Sequence, residues 1–506
     1  MTSVRDREED DRRELPVRPT DEDPLAASGS ELIGGPAGRR ARIGGYRWWN
    51  PLRVMVLVVI GMFALGMAQK APCYSSGWFK AGDPQYIHAC YSDIPHLYAQ
   101  RGFATDVVPY FDRIPDAISG SPDIHYLEYP VLTGLFMEVA SWVTPHGGDG
   151  QHRTQIYWIV NSGMLLICAA VLVVCVARTN RRRPWDGLFI ALSPALALTA
   201  TINWDLFAVA LAAAGMMMWA RSRPVAAGVL IGLATAAKLY PVLLLGALFI
   251  LCLRAGKLRA FALALGGAVA SWLVVNLPVI LFARDGWSQF YGFSRTRPTD
   301  YGSLWLIIME RTGNPLNGVN AYATALMLLL CAGIAALALY ARRRPRIGQL
   351  AFLVVAALLL SNKVYSPQYV LWLLPLAVLA RPRWRDLLIW QGAEVLYFLG
   401  IWMRLAYVTG TKHHGLTADA YHLAVAAHLL GILYLCAMVV RDILWPEYDV
   451  LRQNGEDDPA GGVLDGAEDV FVLGALPLPP ERSHEDEDEY GYGPDSGRGP
   501  GPKHAA

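Results

Sequence analysis

The chain has 506 residues, of which 54% are hydrophobic and 17% are charged, and its formal net charge at pH 7 is +1. Soluble domains typically carry about 25% charged residues, so the composition excludes an ordinary soluble enzyme. A balanced charge offers no basic surface to nucleic acid, and no nucleic-acid partner is expected.

The two ends of the chain differ from its middle. Residues 1–50 and 447–506 are polar and rich in glycine and proline. Residues 485–490 form an acidic run. Such segments bury too little apolar surface to offset the entropy lost on ordering. We therefore predict three regions, namely a disordered cytoplasmic tail at 1–50, a membrane domain at 51–446 and a disordered acidic cytoplasmic tail at 447–506.

Apolar segments fill the middle region. A helix needs about 20 apolar residues to cross the hydrocarbon core, and fewer where other helices surround it. Residues 225–253 form either two spans, one bent element or a re-entrant pair. The predicted segments are Leu52–Gln69, Ile156–Ala177, Trp185–Ala200, Trp204–Ala220, Val225–Ala237, Leu239–Leu253, Ala260–Phe282, Ala321–Ala341, Ile347–Ser361, Gln368–Ala380, Asp386–Met403 and His422–Val440.

Arginine and lysine predict the orientation. Every second connection is basic, as at residues 178–183, 254–259 and 342–346. Because cytoplasmic loops hold the excess of these residues, the basic connections belong inside. About twelve segments with both termini in the cytoplasm fit this alternation. The sequence therefore predicts an all-α, multi-pass protein of the plasma membrane.

The connection at residues 70–155 is long, rich in carboxylates and aromatic residues, and extracytoplasmic by this topology. Counting the apolar stretch Val131–Val143 as a span would put the basic residues 178–183 outside, so we predict an interfacial or re-entrant helix there. Cys73 and Cys90 lie in the same loop. An oxidising compartment permits a disulfide between them, and the sequence leaves paired and unpaired forms equally open.

Acidic residues of the outer face are candidates for a general base. Asp93, between aromatic residues, and Glu128 each either accept a proton from a sugar hydroxyl or serve as a helix cap or half of an ion pair. Asp205 begins the fourth segment, where it either orients a substrate hydroxyl or caps the helix; the cap is the favoured interpretation.

Basic residues of the outer face are candidates for phosphate binding. Arg295 and Arg297 form either a clamp for a lipid phosphate or a solvated loop with an Arg–Asp pair. Lys363 and Gln368, followed by Tyr369, either face a cavity or form a polar turn.

Lys238 interrupts an apolar run, and we predict that Lys238 and Tyr240, which precede Pro241, take part in binding the substrate or its lipid phosphate. A lysine at membrane depth costs about 2.5–3.5 kcal/mol on insertion scales, so a functional partner such as a phosphate is expected. The alternative is a lysine at a helix end that extends to the interface.

Three motifs carry a family resemblance: Glu-Tyr-Pro-Val-Leu from Glu128, Lys-Leu-Tyr-Pro from Lys238, and Lys-Val-Tyr-Ser-Pro-Gln-Tyr-Val-Leu-Trp-Leu-Leu-Pro from Lys363. Over residues 52–440 the chain resembles glycosyltransferase family 87 of the GT-C superfamily, and the actinobacterial mannosyltransferases that use polyprenol-phosphate-mannose. The motif from Lys363 is the most specific of the three.

The resemblance implies a GT-C-like helical bundle with a large first outer loop. It also implies a hexosyltransferase that moves a sugar, mannose in the similar enzymes, from a polyprenyl-phosphate donor to an envelope glycan or glycolipid, with inversion. An Asp of the first outer loop is the base in this superfamily, and Asp93 matches that position best. The phosphate leaving group already activates the donor, so neither a metal nor another cofactor is predicted.

Two other classes of function remain open. A transporter or flippase for a lipid-linked sugar needs charged residues at midplane, where Lys238 and Glu394 qualify, but usually also shows repeats, which the sequence lacks. A non-catalytic scaffold of an envelope-synthesis complex needs no acidic outer site, and its tails would carry the function.

Overall fold

The computed structural model describes residues 16–32, 49–79, 84–145, 147–410, 415–453 and 455–474, and these residues contain helices and no strand. The helices up to the end of the second long apolar segment are α1 Pro19–Glu22, α2 Pro24–Leu32, α3 Pro51–Gln69, α4 Ala71–Ser76, α5 Pro84–Ile87, α6 Asp93–Gln100, α7 Asp116–Ser119, α8 Val131–Val143 and α9 Gly150–Thr179.

The remaining helices follow with short connections. They are α10 Leu188–Ala191, α11 Pro194–Thr199, α12 Asp205–Ala220, α13 Pro224–Ala237, α14 Val242–Arg254, α15 Leu258–Phe282, α16 Arg284–Thr296, α17 Leu304–Thr312, α18 Val319–Tyr340, α19 Ile347–Ser361, α20 Val370–Ala380, α21 Trp384–Val408 and α22 Ala418–Leu444. Short 3₁₀ turns lie at Phe103–Thr105, Pro184–Gly187, Pro367–Tyr369, Pro446–Tyr448 and Gly462–Leu464.

Helices α3, α9, α15, α18 and α22 are long and apolar enough to cross a membrane. Helices α8, α12, α13, α14 and α19 are apolar but shorter, as is the stretch Pro367–Ala380 that contains α20. The predicted all-α membrane class is confirmed. The count of about twelve spans stays a prediction.

The predicted segment Trp185–Ala200 is wrong as a single helix. A 3₁₀ turn at Pro184–Gly187 leads into α10, and α11 starts separately at Pro194. Proline has no N–H to continue the preceding helix but fits the first turn of a new one. The Ser193 hydroxyl caps that turn by accepting a hydrogen bond from the Leu196 N–H at 3.1 Å.

Residues 225–253 form two helices, α13 and α14, which separate at the Lys238–Pro241 turn. Helix α13 packs closely on α15. A Cβ atom added to Gly228 would lie 1.9 Å from the Ala264 carbonyl oxygen, and one added to Gly232 would lie 2.2 Å from that of Ala268. Small residues permit such close approach of backbones. This packing fixes the end of α13, where Lys238 stands.

Part of the predicted C-terminal tail is ordered. The prediction of a disordered tail is wrong for residues 447–474, apart from residue 454, which is not described. Arg346 Nε lies 2.7 Å from Asp449 Oδ2, with both side chains buried, and Arg254 and Arg344 lie 2.7 and 2.6 Å from the carboxylate of Asp469. Charged residues can order a polar segment when each finds a partner, because paired charges are far less costly to bury than lone ones.

The N-terminal tail also differs from the prediction in its described part. Glu22 pairs with Arg183, and Asp23 Oδ2 accepts a hydrogen bond from the Trp384 N–H at 2.9 Å. Both terminal segments therefore lie against the basic connections between spans. The remainder of the predicted tails, residues 1–15, 33–48 and 475–506, lies outside the described residues.

Candidate active site

A cavity of about 720 Å³ lies between the 70–155 connection and the helix ends that follow it. Its wall combines acidic, basic and aromatic side chains, among them Tyr86, Tyr91, Asp93, Glu128, Tyr129, Asn203, Lys238, Tyr240, Phe293, Arg297, Asp300, Tyr301, Gln368, Tyr369, Trp372 and Trp402. A cavity whose wall combines apolar and aromatic surface with converging polar groups is typical of a small-molecule site.

Asp93 reaches the cavity from the first residue of α6. The Ser92 hydroxyl caps this helix and donates a hydrogen bond to the Thr201 carbonyl at 2.7 Å. The Asp93 N–H donates to the Ile202 carbonyl at the same distance. These bonds attach the start of α6 to the turn before α12, and so join the 70–155 connection to the helices that follow it.

Covalent and polar contacts hold the segment before Asp93. Cys73 and Cys90 form a disulfide, with their Cα atoms 5.8 Å apart, so the paired alternative is the one that the structure contains. The fully buried Lys70 ammonium donates to the Tyr91 carbonyl at 3.1 Å. The base candidate is thus fixed from both sides along the chain.

The Asp93 carboxylate is half-buried in the cavity wall, where it has one side-chain partner among the described residues. The Tyr91 hydroxyl donates to Asp93 Oδ1 at 2.8 Å. Burial raises the pKa of the Asp93 carboxyl to about 6, although the Tyr91 hydrogen bond and the charges of Lys238 and Arg297 act to lower it. Desolvation penalises the ionised form, and this effect outweighs the others.

Lys238 and Asp205 form an ion pair at the inner part of the cavity. Lys238 Nζ lies 2.6 Å from Asp205 Oδ1, and the Trp372 indole N–H donates to Asp205 Oδ2 at 2.9 Å. We expected Asp205 to cap helix α12, and the structure differs from this expectation. Asp205 is the first residue of α12, and no side chain caps that helix end. A lysine opposite satisfies the Asp205 carboxylate better than a backbone N–H, since both groups are charged.

Aromatic rings surround the Lys238 ammonium. It lies 5.3 Å from the ring centroid of Tyr129, and 5.8 Å from those of Tyr369 and Trp372. Trp372 in turn stacks on Tyr240, with centroids 4.6 Å apart. Cation–π attraction in a desolvated site adds to the ion pair and keeps this lysine charged and in place.

Arg297 is the second cation of the cavity wall. Its Nε donates to Asp300 Oδ2 at 3.0 Å, as expected for an Arg–Asp pair, and the side chain also lines the cavity. The structure thus combines features of the two alternatives, a pair and a cavity-facing guanidinium. Arg297 retains N–H donors toward the cavity because one guanidinium carries five of them.

Other predicted phosphate-binding residues separate into two groups. Tyr240, Gln368 and Tyr369 line the cavity. Lys363 and Arg295 are not part of its wall: the Lys363 ammonium donates to the Arg295 carbonyl at 3.0 Å and supports the end of α16.

Glu128 lines the cavity, but its carboxylate is already engaged. Both of its oxygens accept from Arg101, at 2.6 Å each, and both side chains are buried. A bidentate buried pair of this kind is structural, because proton uptake by Glu128 would leave the guanidinium uncompensated. The geometry therefore favours Asp93 over Glu128 as a base.

The sequence analysis did not identify Tyr91, which donates a hydrogen bond to Asp93, or Trp372, which donates one to Asp205. Trp372 follows Gln368 by four residues, and residues at this spacing share a helix face. That spacing was the available signal. No comparable signal marks Tyr91, since its role depends on the turn that directs Asp93 toward it.

Among the described residues, no group of three or more His, Cys, Asp or Glu side chains is arranged to hold a metal ion. The chemistry that the cavity itself offers consists of the half-buried Asp93 carboxyl, of raised pKa, and the cations Lys238 and Arg297 in the same wall. This combination fits proton removal by the carboxylate and stabilisation of an anionic group by the cations.

The apolar helices around this cavity are those of a polytopic membrane protein. Residues 126–362, somewhat less than half of the chain, match the family described as glycosyltransferase family 87. Asp205, Lys238 and Arg297 fall within the matched residues, and Asp93 precedes them.

No curated protein matches the chain. Among solved structures, the apo crystal structure of the Archaeoglobus fulgidus oligosaccharyltransferase is similar with a TM-score of 0.37 and 11% sequence identity. That alignment covers 79% of this chain and 56% of the other, so the chain spans little more than half of that protein's length.

Proposed function

We propose that the enzyme transfers a sugar, mannose, from a polyprenyl-phosphate donor to a glycan or glycolipid acceptor of the cell envelope, with inversion at the anomeric carbon. One observation carries the proposal: Asp93 faces the same cavity as Lys238 and Arg297. A carboxylate opposite two cations matches a reaction in which a hydroxyl loses a proton while a phosphate departs.

The donor phosphate occupies the cationic side of the cavity. Lys238 and Arg297 each have a carboxylate partner, Asp205 and Asp300, so neither is an unneutralised charge before the donor binds. A phosphodiester recruits their remaining N–H donors and gains most from them as negative charge develops on the departing oxygen. The lipid tail extends into the bilayer between the helices.

Asp93 serves as the general base. A pKa of about 6 leaves its carboxyl mostly ionised at pH 7 and makes it a stronger base than an ordinary aspartate. It accepts the proton of the acceptor hydroxyl while the hydroxyl oxygen bonds to the anomeric carbon. The bond from that carbon to the phosphate oxygen breaks on the opposite face, which inverts the configuration and releases polyprenyl phosphate.

The proposed topology places both termini in the cytoplasm and residues 70–155 outside the plasma membrane. Contacts of the terminal segments support it, because Glu22 pairs with Arg183 and Asp449 pairs with Arg346. These arginines belong to connections of the basic, cytoplasmic set. The cavity then opens on the outer side, where envelope acceptors lie.

Donor choice tests the proposal directly. Purified protein in detergent is given an envelope-lipid extract as acceptor and labelled mannose on either polyprenyl phosphate or a nucleoside diphosphate. We expect label in the acceptor with the polyprenyl-phosphate donor and none with the nucleotide sugar. Transfer from the nucleotide sugar alone would exclude the proposed donor.

A further inference from the structure

Glu394 is a buried acid in the helical part of the chain, and the proposed mechanism does not use it. Its side chain is 3% exposed. Its Oε1 accepts from the Tyr365 hydroxyl at 3.0 Å and from the Trp390 indole N–H at 3.2 Å, while Oε2 has no hydrogen-bond partner among the described residues. An ionisable residue at this depth is expensive, so a role for it is the default expectation.

His428 is the basic residue nearest to Glu394. Its Nδ1 lies 3.7 Å from Glu394 Oε1, and its Nε2 lies 3.0 Å from the Gly302 carbonyl oxygen. A carbonyl oxygen only accepts, so Nε2 carries a proton. In the described part of the chain no lysine or arginine pairs with Glu394, so His428 is the basic side chain that lies against this buried acid.

Glu394, His428 and the neighbouring tyrosines contact two loops on the side that faces away from the cavity. Gly302 belongs to loop 297–303, and its N–H donates to the Tyr421 hydroxyl at 3.0 Å. Tyr365 belongs to loop 362–369, and its carbonyl accepts from the Tyr397 hydroxyl at 2.6 Å. Gly302 has φ +78°, and an added Cβ would lie 2.1 Å from the Tyr397 hydroxyl oxygen, so the packing admits only glycine there.

The two loops are also bonded to each other. The Asp300 N–H donates to the Lys363 carbonyl at 2.9 Å, and the Tyr365 N–H donates to the Tyr301 carbonyl at 3.2 Å. Their front sides carry cavity residues, including Arg297 and Gln368. Glu394 and His428 therefore lie directly behind the wall that bears one of the two proposed phosphate-binding cations.

We propose that Glu394 and His428 are positioning residues that together hold loops 297–303 and 362–369 in the geometry that binds the donor phosphate. The inference rests on the proposed function, because that function assigns these loops to the donor. The pair acts through Gly302 and Tyr365 and does not touch the reacting atoms.

The test compares Glu394→Gln, His428→Gln and the double variant. Glutamine keeps an N–H that can reach the Gly302 carbonyl but carries no charge. His422→Gln is the matched control, because His422 stands on the same helix and pairs with Glu310 at 2.7 Å without a hydrogen bond to either loop. Purified variants are compared at equal protein for donor KM, kcat and melting temperature.

Each single variant alters one of the two contacts that hold the loops, so we expect the donor KM to rise about tenfold, the scale of coupling between contacting residues. The double variant should raise the KM by less than the product of the two single effects, because both residues act on the same pair of bonded loops. The control should keep the wild-type KM. A lower kcat at unchanged KM in the single variants would mean only a loss of folded enzyme and would overturn the proposal.

A binding measurement separates this inference from the proposed reaction. Polyprenyl monophosphate, without a sugar, is added and the rise in melting temperature is recorded. Protection of the wild type and the control but not of the single variants supports the positioning role even if no sugar transfer is found. The positioning role is overturned if all variants are protected equally, or if polyprenyl monophosphate does not protect the wild type.

Discussion

Lys238 Nζ lies 2.6 Å from Asp205 Oδ1, so the lysine that interrupts an apolar run has its counter-charge on the neighbouring helix α12. The pair joins α12 to the turn that ends α13, and Trp372 of α20 completes it. A charge that is costly in a membrane thus becomes a fixed feature of the cavity, available to a phosphate without being left unpaired before the donor arrives.

This pairing predicts an asymmetry between single and double variants. Lys238→Met leaves Asp205 buried and alone, and Asp205→Asn leaves Lys238 alone, so each should lose about 3–5 kcal/mol of stability. The double variant should recover much of the loss in melting temperature but not the transfer activity, because the phosphate still lacks Lys238. Recovery of activity in the double variant would remove Lys238 from donor binding.

The second cation gives a prediction about the donor alone. Arg297→Ala should raise the donor KM about tenfold or more, since Arg297 lines the cavity and charge-assisted bonds to phosphate are strong. Lys363→Ala should act more weakly, because its ammonium supports the Arg295 carbonyl instead of the cavity.

Arg343→Ala is the control for these variants. Arg343 pairs with Asp457 of the C-terminal segment and does not line the cavity. Steady-state kinetics with varied donor measure all three. Equal loss in the three variants at equal protein level would indicate a folding defect and not a phosphate contact.

The raised pKa of Asp93 predicts the acidic side of the pH–rate profile. Its carboxyl must be ionised to accept a proton, and burial raises its pKa to about 6. Below that pH kcat/KM should fall about tenfold per pH unit, and above it should reach a plateau. An acidic limb near pH 4 would indicate an ordinary exposed carboxyl as the base.

The site could be predicted from the sequence only in part. The outer loop, Asp93 and the Lys238 and Arg297 cations are visible as polar exceptions in an apolar chain, and they converge on one cavity. Glu128 looks equivalent to Asp93 in the sequence, because its partner Arg101 is recognisable only once the loop folds. Local pattern does not encode which of two carboxylates meets an arginine.

The terminal segments of the chain could also be predicted from the sequence only in part. The composition of residues 447–506 predicts disorder, yet Asp449 and Asp469 are ordered by arginines of distant connections. Composition measures how much apolar surface a segment can bury, and it misses order that depends on charge partners elsewhere in the chain. The length of the apolar stretches, by contrast, predicted the long helices, since a bilayer imposes that length.

Topology gives an independent prediction. A cysteine in place of Asp123, in the outer loop, should react with a membrane-impermeant maleimide in intact cells. A cysteine in place of Glu468, in the segment that packs on the basic connections, should react only after permeabilisation. Labelling of the Glu468→Cys variant in intact cells would reverse the proposed orientation.

The general base is the central claim, and Asp93→Asn tests it most directly. Asparagine keeps the shape of the side chain and can still bond to Tyr91, but it cannot take up the proton.

The control is Asp116→Asn, in the same loop but exposed and outside the cavity wall. Single-turnover transfer from labelled polyprenyl-phosphate sugar is measured for both variants and the wild type. We expect Asp93→Asn to bind the donor normally and to lose about 10²–10⁴-fold in rate, with Asp116→Asn unchanged. Turnover of Asp93→Asn within a few-fold of the wild type would contradict the proposed mechanism.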